Sequence, residues 1–233
     1  MVLYERCIGK LAQILPVQEM RPVAFPNLAW KDAGKNQLIF QDDTAYELGA
    51  EGDSGVSGIL YTTDEAQVPE DEVVLLGPDL QEITADHAYG RIVWVRLKDE
   101  GLEEKDRLYQ LLRAVEYRRY HVNPEGFMMR ISSMNHRESV RVSKQALQGG
   151  ITFGDVGKMM VDSYHVLPQV AAVKILFITD EKVLNTAVRQ TLADAEAITK
   201  TLDKLVNEVN MDCDHCGLQE ICEEVQKLSE KGA

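Results

Sequence analysis

The chain has 233 residues, of which 45% are hydrophobic and 27% are charged, a composition typical of a globular protein with one large domain or two small ones. Its net charge of −13 argues against a nucleic-acid-binding protein, because attraction to phosphates requires a basic surface. Charged residues interrupt the apolar positions near the N-terminus, and no apolar stretch approaches membrane-spanning length. We therefore expect a cytoplasmic protein that contacts no membrane.

Residues 1–36 predict a short helix followed by an extended arm. Apolar residues recur at helical spacing between positions 2 and 15, and Pro16, Pro22 and Pro26 then break the pattern. We expect residues 37–180 to form an α+β domain with a mixed sheet and flanking helices. Its predicted strands are 37–40, 45–48, 58–62, 73–76, 91–97, 139–143 and 172–178, and its predicted helices are 103–119 and 154–167.

The last segment, residues 181–233, predicts a long C-terminal helix that ends in a cysteine-rich tail. The preceding run Ala172–Ile178 is almost wholly apolar, so we expect it to be a central strand. Asp180 is a favourable N-cap, and the helix is expected to run from there to about Val209. Its apolar positions alternate in steps of four and three. This spacing fits either a helix on its own core or a coiled coil that makes a homodimer through residues 181–209.

Three of the four cysteines fall within ten residues near the C-terminus, at Cys213, Cys216 and Cys222. Such spacing is typical of ligands for an iron-sulfur cluster or a zinc ion. The fourth ligand stays open among His215, Cys7, a partner chain and a small thiol. The alternative interpretation is three reduced thiols that hold no metal.

The stretch from Arg113 to Lys144 is basic within an acidic chain. It contains seven basic and three acidic side chains, a net charge of +4. Such a segment either meets an anion or supplies surface arginines that pair with acids elsewhere in the chain. The candidate anion ligands are Arg118, Arg119, Arg130, Arg137 and Arg141.

Two blocks of residues occur in an order and spacing that resemble a known family. The first is Tyr46–Gly49 followed by Val73–Leu80, and the second comprises Glu125–Phe127, Ser139–Lys144, Phe153–Asp155 and Ala172–Glu181. Together they resemble the middle, α+β domain of acetyl-CoA synthase, the beta subunit of the CO dehydrogenase/acetyl-CoA synthase complex of anaerobes. The resemblance covers roughly residues 40–190.

The resemblance implies a role in anaerobic one-carbon metabolism, with CO dehydrogenase or corrinoid protein subunits as partners. In that family an arginine-rich surface is associated with coenzyme A, which would assign coenzyme A binding to the five arginines named above. A C-terminal domain of the family carries a nickel and iron-sulfur cluster, and it includes a Cys-Gly-Cys tripeptide that this sequence lacks. Met128 stands where the family commonly has tryptophan.

These departures predict an accessory module that binds coenzyme A or a partner and lacks the full nickel site. If the chain is active, the resemblance implies CO-methylating acetyl-CoA synthase activity as part of a complex. We expect no nickel centre in this chain alone. The alternative is an iron-sulfur or zinc protein in electron transfer or regulation.

Overall fold

The structure is a computed structural model, and it describes residues 1–40, 44–51, 55–100, 102, 104–131, 138–206 and 221. A run of strands follows the first helix, and helices and strands are then interspersed. In chain order they are α1 (Val2–Ile14), β1 (Arg21–Pro22), β2 (Ala45–Leu48), β3 (Gly55–Thr62), β4 (Glu72–Leu76), β5 (Tyr89–Leu97), α2 (Lys105–Arg119), β6 (Phe127–Ile131), β7 (Glu138–Ser143), α3 (Lys144–Gly149), α4 (Phe153–His165), β8 (Val170–Ile178) and α5 (Thr186–Val206).

The larger sheet has five strands in the order β1-β4-β8-β5-β3. Its pairs β4/β8 and β5/β3 are parallel, whereas β1/β4 and β8/β5 are antiparallel. The predicted α+β class with a mixed sheet is therefore confirmed. β8 lies in the centre, as its apolar sequence predicts, because a strand covered on both faces cannot alternate with polar residues.

Helices flank both faces of this sheet. On one face α4 packs so closely that a Cβ added to Gly157 would lie 2.5 Å from Val73. On the other face Leu192 of α5 packs against Gly58 of β3. α1 contacts both α5 and β3, so the two terminal helices of the described chain lie side by side.

The smaller sheet is antiparallel, with the order β2-β7-β6. Its buried face carries Phe127, Val140 and Val142 and points towards the larger sheet. The two sheets meet where β2, β3 and β7 approach one another. A Cβ on Gly55 would lie 2.5 Å from the carbonyl oxygen of Gly49 and 2.9 Å from that of Glu138, so this junction requires glycine.

The long helix lies on its own core, which decides between the two interpretations of its apolar spacing. Val188, Thr191, Ala195 and Ile198 are all buried within the chain, mainly through contacts of α5 with α1 and β3. Over the described residues this apolar seam is therefore covered by the same chain rather than offered to a second copy. The predicted residues 207–209 of the helix and the cysteine-rich tail lie outside the described residues.

Three details of the sequence prediction are wrong. The helix begins at Thr186 instead of Asp180, because the Asn185 side chain accepts hydrogen bonds from the backbone of Ala187 and Val188. Residues 37–40 form no strand. Strand β6 and helix α3 were not predicted.

The core draws on all three predicted segments, since Leu11, Val93 and Val188 belong to one hydrophobic cluster. The proposed division at residues 36 and 180 stays a prediction. Among the described residues, no helix is both long enough and apolar enough to cross a membrane.

Candidate functional site

A groove of about 1080 Å³ lies between residues 29–40 of the N-terminal arm and the turn and helix beside β6. We call it the arm groove. One wall is the arm itself, and the other is formed by residues 125–126 and the start of α3 at residues 143–149. Its lining side chains include Trp30, Lys31, Gln37, Leu38, Ile39, Phe40, Thr44, Glu125, Ser143, Lys144, Gln145 and Ala146.

Gln37 fastens the arm to the turn before β6. Its Nε2 donates to the carbonyl oxygens of Pro124 and Phe127, at 3.0 and 3.2 Å, and its Oε1 accepts from the backbone N–H of Gly126 at 2.6 Å. Gly126 has a φ of +82°, and a Cβ there would lie 2.2 Å from that of Ala146. The groove floor is thus closed by a glycine turn that no other residue fits without rearrangement.

Trp30 forms the aromatic wall of the arm groove. Its Nε1 donates to the carbonyl oxygen of Glu125 at 2.8 Å, and the backbone N–H of Glu125 donates to the carbonyl of Lys31 at 2.8 Å. These bonds hold the indole ring at the groove, where Trp30 is half-buried. An indole fixed by its N–H is suited to contact with a planar ring.

The same groove combines apolar and positively charged groups. Leu38 and Phe40 are 77% and 67% exposed, which is unusual for such large apolar side chains. Lys144 Nζ lies 4.9 Å from the ring centre of Tyr46, and it has no carboxylate partner among the described residues. Lys31 pairs with Glu125 at 3.5 Å, where both side chains are exposed. The groove therefore offers apolar contact beside a cation that has no carboxylate partner among the described residues.

The candidate arginines fall into separate groups. Arg130 and Arg141 are brought together, because both donate to Oε1 of Glu47. Arg141 Nη1 also donates to the carbonyl oxygen of Ile39 at 3.1 Å, which ties this pair to the arm. Arg118 is partly exposed in the last turn of α2, and Arg137 lies outside the described residues.

Arg119 lies on the opposite side of the smaller sheet from Arg141. Its Nε is 3.9 Å from Oε2 of Glu138, and its Nη2 donates to Oγ of Ser57 at 2.6 Å. Successive residues of a strand face opposite sides, so Glu138 and Arg141 of β7 point away from each other. The five arginines therefore do not form one cluster in the described structure.

Arg91 and Glu138 make a fully buried ion pair that sequence reasoning missed. Arg91 Nη2 lies 2.6 Å from Glu138 Oε2, and both side chains are 0% exposed. Tyr89 donates to the second carboxylate oxygen, and Arg91 Nη1 donates to the backbone carbonyl of Arg119. Burial alone would lower the pKa of Arg91, but the adjacent Glu138 carboxylate raises that pKa above its ordinary value. The available signal was Arg91, a charged residue near the start of a mainly apolar strand.

The family of the chain follows from a comparison over residues 31–184, which match the family model described as CO dehydrogenase/acetyl-CoA synthase complex beta subunit. The chain belongs to this family. The resemblance on residues 40–190 is thereby confirmed at the level of the family. No curated protein matches the chain. The matched residues include most of the arm groove and the buried pair of Arg91 and Glu138. Both therefore lie mainly or wholly in the part of the chain that matches the family model.

The predicted metal ligands Cys213, Cys216 and Cys222 lie outside the described residues, as does His215. Within the residues that the structure describes, no group of three or more His, Cys, Asp or Glu side chains is placed to hold a metal ion. Cys7 is buried in α1, and burial raises the pKa of its thiol. Because metals bind the thiolate, this environment disfavours Cys7 as the fourth ligand.

Proposed function

We propose that this beta-subunit relative is an accessory module of the CO dehydrogenase/acetyl-CoA synthase complex and that it binds coenzyme A in the arm groove. The observation that carries the proposal is the combination of Trp30, Phe40 and Lys144 in one groove of about 1080 Å³. Membership of the family supports coenzyme A as the ligand class. The groove itself supplies the chemistry that such a ligand requires.

Coenzyme A joins an adenine ring, several phosphates and a flexible pantetheine chain. Trp30 and Phe40 offer faces on which the adenine ring stacks, and the aliphatic side chain of Leu38 suits the pantetheine chain. Lys144 and Lys31 place positive charge beside these groups for the phosphates. Ligand sites of this kind are mainly apolar, with a few polar groups that fix orientation.

The arginines take a supporting part in this proposal. Arg130 and Arg141 are held by Glu47, and Arg141 fixes the arm through the carbonyl oxygen of Ile39. The two arginines thus position the groove wall, while Lys31 and Lys144 contact the phosphates of coenzyme A. Direct contact of the five arginines with coenzyme A stays a prediction.

Isothermal titration of the full chain with coenzyme A tests the proposal. We expect one binding site, with affinity that falls as salt is added and falls several-fold in Lys144→Ala. Lys182→Ala is the matched control, because Lys182 is exposed in the turn before α5 and is not part of the groove lining. Dephospho-coenzyme A, which lacks the 3′-phosphate, measures the contribution of that phosphate to the binding affinity. Pantetheine measures the contribution of the flexible chain. Equal affinity in both lysine variants, or no binding, would contradict the proposal.

A partner subunit is the second candidate occupant of this surface. Leu28, Leu38 and Phe40 of the arm are all more than 65% exposed, and such apolar side chains are typical of interfaces. CO dehydrogenase or a corrinoid protein subunit of the complex is the expected partner. Co-elution of a purified subunit with the chain that is lost in Leu38→Asp would favour docking over the coenzyme. Val166→Asp is the control and should keep co-elution, because it puts the same charge on an exposed apolar residue outside the groove lining.

We also propose that Cys213, Cys216 and Cys222 hold an iron-sulfur cluster, with zinc as the alternative metal. The spacing of the three thiols in the sequence supports this assignment. An electron-transfer or regulatory role would follow if iron and sulfide are bound. No catalytic step is assigned to these residues.

A further inference from the structure

A second pocket, of about 330 Å³, lies apart from the arm groove on the free edge of β3. We call it the β3 pocket. Strand β3 is the last strand of the larger sheet, and three successive residues of it, 57 to 59, all line the pocket. Because successive strand residues face opposite sides, the pocket opens onto the edge rather than onto one face. Helices α2 and α5 form its two walls.

Arg119 supplies the charge at the bottom of the β3 pocket. Its side chain is only 10% exposed, and Ser57 Oγ holds it at 2.6 Å from Nη2. Glu116 lies 3.4 Å from Nη1, at the outer limit of a hydrogen bond. Each terminal nitrogen carries two N–H groups, so each keeps a second donor beyond these bonds.

The positive charge of Arg119 is balanced partly by Glu116, whose side chain is 26% exposed and lies 3.4 Å from Nη1. The carboxylate of Glu138 is 3.9 Å from Arg119 Nε, but that carboxylate is already bound by Arg91 at 2.6 Å. Two buried guanidinium groups therefore share one fully buried carboxylate. Nε of Arg119 is buried without a hydrogen-bond partner in the described structure. An anion that reaches the terminal nitrogens from the pocket would add a charge-assisted hydrogen bond to this guanidinium.

The rest of the lining limits the kind of anion. Ile59 and Leu192 are buried apolar side chains beside the guanidinium. Arg113 lies exposed at the rim with no ion-pair partner among the described residues. Glu116 places negative charge beside Arg119, whereas Glu196 pairs at 2.8 Å with Lys200, which also lines the pocket. A ligand with a single negative charge and a short apolar body suits this arrangement, and a multiply charged one suits it less.

We propose that the β3 pocket binds a short-chain monocarboxylate, with its carboxylate on the Arg119 guanidinium and its alkyl chain against Ile59 and Leu192. A planar guanidinium matches the two oxygens of a carboxylate through parallel hydrogen bonds. The pocket volume lies at the small end of the range for ligand sites, which favours a body of a few carbon atoms.

Butyrate is the probe that tests this site, titrated into the full isotope-labelled chain and followed by amide chemical shifts. We expect saturable shifts centred on residues 57–59 and on the end of α2, with no shifts of comparable size in the arm groove. Butanol has the same apolar body without the charge and should bind at least fivefold more weakly. Phosphate has the charge without the body and should also bind at least fivefold more weakly.

Variants complete the test. Arg113→Glu reverses the charge of an exposed rim residue and should weaken butyrate binding at least fivefold. Lys182→Glu makes the same charge change at an exposed residue outside the pocket lining and should leave butyrate binding unaltered. Arg119→Lys retains the charge but loses the planar fork, and it should weaken butyrate further if it folds. Absent or non-saturable shifts, equal binding in both glutamate variants, or tighter binding of phosphate than of butyrate would each overturn the proposal.

Discussion

Arg91 of β5 and Glu138 of β7 join the two sheets through a buried ion pair of 2.6 Å. The pair also sets the position of Arg119, because Arg91 Nη1 donates to the Arg119 carbonyl oxygen at 3.1 Å. Tyr89 holds the other oxygen of the carboxylate. The junction of the sheets and the bottom of the β3 pocket therefore depend on the same few groups.

Breaking this pair should be strongly destabilising. Glu138→Gln leaves the Arg91 charge without its partner in the core, and we expect a loss of about 3–5 kcal/mol in the free energy of unfolding. Replacing both residues, as Arg91→Met with Glu138→Leu, should cost less than Glu138→Gln alone. Urea denaturation of the three proteins measures the difference.

The surface pair of Lys158 and Asp162 on α4 is the control for this experiment. Its atoms lie 2.5 Å apart, but the Asp162 side chain is 59% exposed. Asp162→Asn should therefore cost no more than about 1 kcal/mol. A similar cost for Glu138→Gln would show that the buried pair does not hold the sheets together.

Gly55 and Gly58 of β3 should respond differently to replacement by alanine. A Cβ on Gly55 would meet backbone oxygens at 2.5 and 2.9 Å, which cannot move without shifting a strand. A Cβ on Gly58 would lie 2.6 Å from Cδ2 of Leu192, the far end of a flexible side chain. We expect Gly55→Ala to lose about 1–3 kcal/mol or more, and Gly58→Ala to lose clearly less. Thermal unfolding of both variants measures the two losses of stability. A larger loss for Gly58→Ala than for Gly55→Ala would contradict the described sheet junction.

The true start of α5 can be tested by removing its cap. Asn185→Ala deletes the oxygen that accepts from Ala187 and Val188, so we expect a loss of about 0.5–2 kcal/mol in stability. Asp180→Ala removes only a bond to the backbone N–H of Lys182 in the preceding turn. A larger cost for Asp180→Ala, measured by the same denaturant unfolding, would favour the earlier helix start.

The cysteine proposal predicts metal in the anaerobically purified, reduced protein. Cys216→Ser should remove stoichiometric metal while the described core stays folded. Cys7→Ala is the control and should keep the metal, because Cys7 is buried in α1. Metal analysis with sulfide determination separates a cluster from zinc. Negligible metal in the wild-type chain would contradict the proposal.

The same features explain what the sequence could and could not predict. The strand β8 follows from a run of apolar residues, and the apolar seam of α5 follows from its spacing, although the spacing does not decide what covers that seam. The start of α5 does not, because Asp180 and Asn185 are both good capping residues and only the tertiary structure chooses between them. Residues 37–40 have the composition of a strand, yet the Gln37 side chain binds the backbone that a neighbouring strand would use.

The candidate site was harder to predict for a related reason. Whether an arginine is free for a ligand depends on carboxylates that are distant in sequence, such as Glu47 for Arg130 and Arg141. The arm groove likewise joins residues about 100 positions apart, including Trp30 and Lys144. No pattern of neighbouring residues in the sequence indicates that two such distant residues line one groove.

Tryptophan fluorescence during titration with coenzyme A tests the central claim most directly. The chain has two tryptophans, and Trp94 is buried in β5 at 6% exposure, so a change on ligand binding reports on Trp30. We predict saturable quenching by coenzyme A that disappears in Trp30→Phe and shifts to higher concentration in Lys144→Ala. Unchanged wild-type fluorescence at saturating coenzyme A, or equal quenching in Trp30→Phe, would contradict coenzyme A binding in the arm groove.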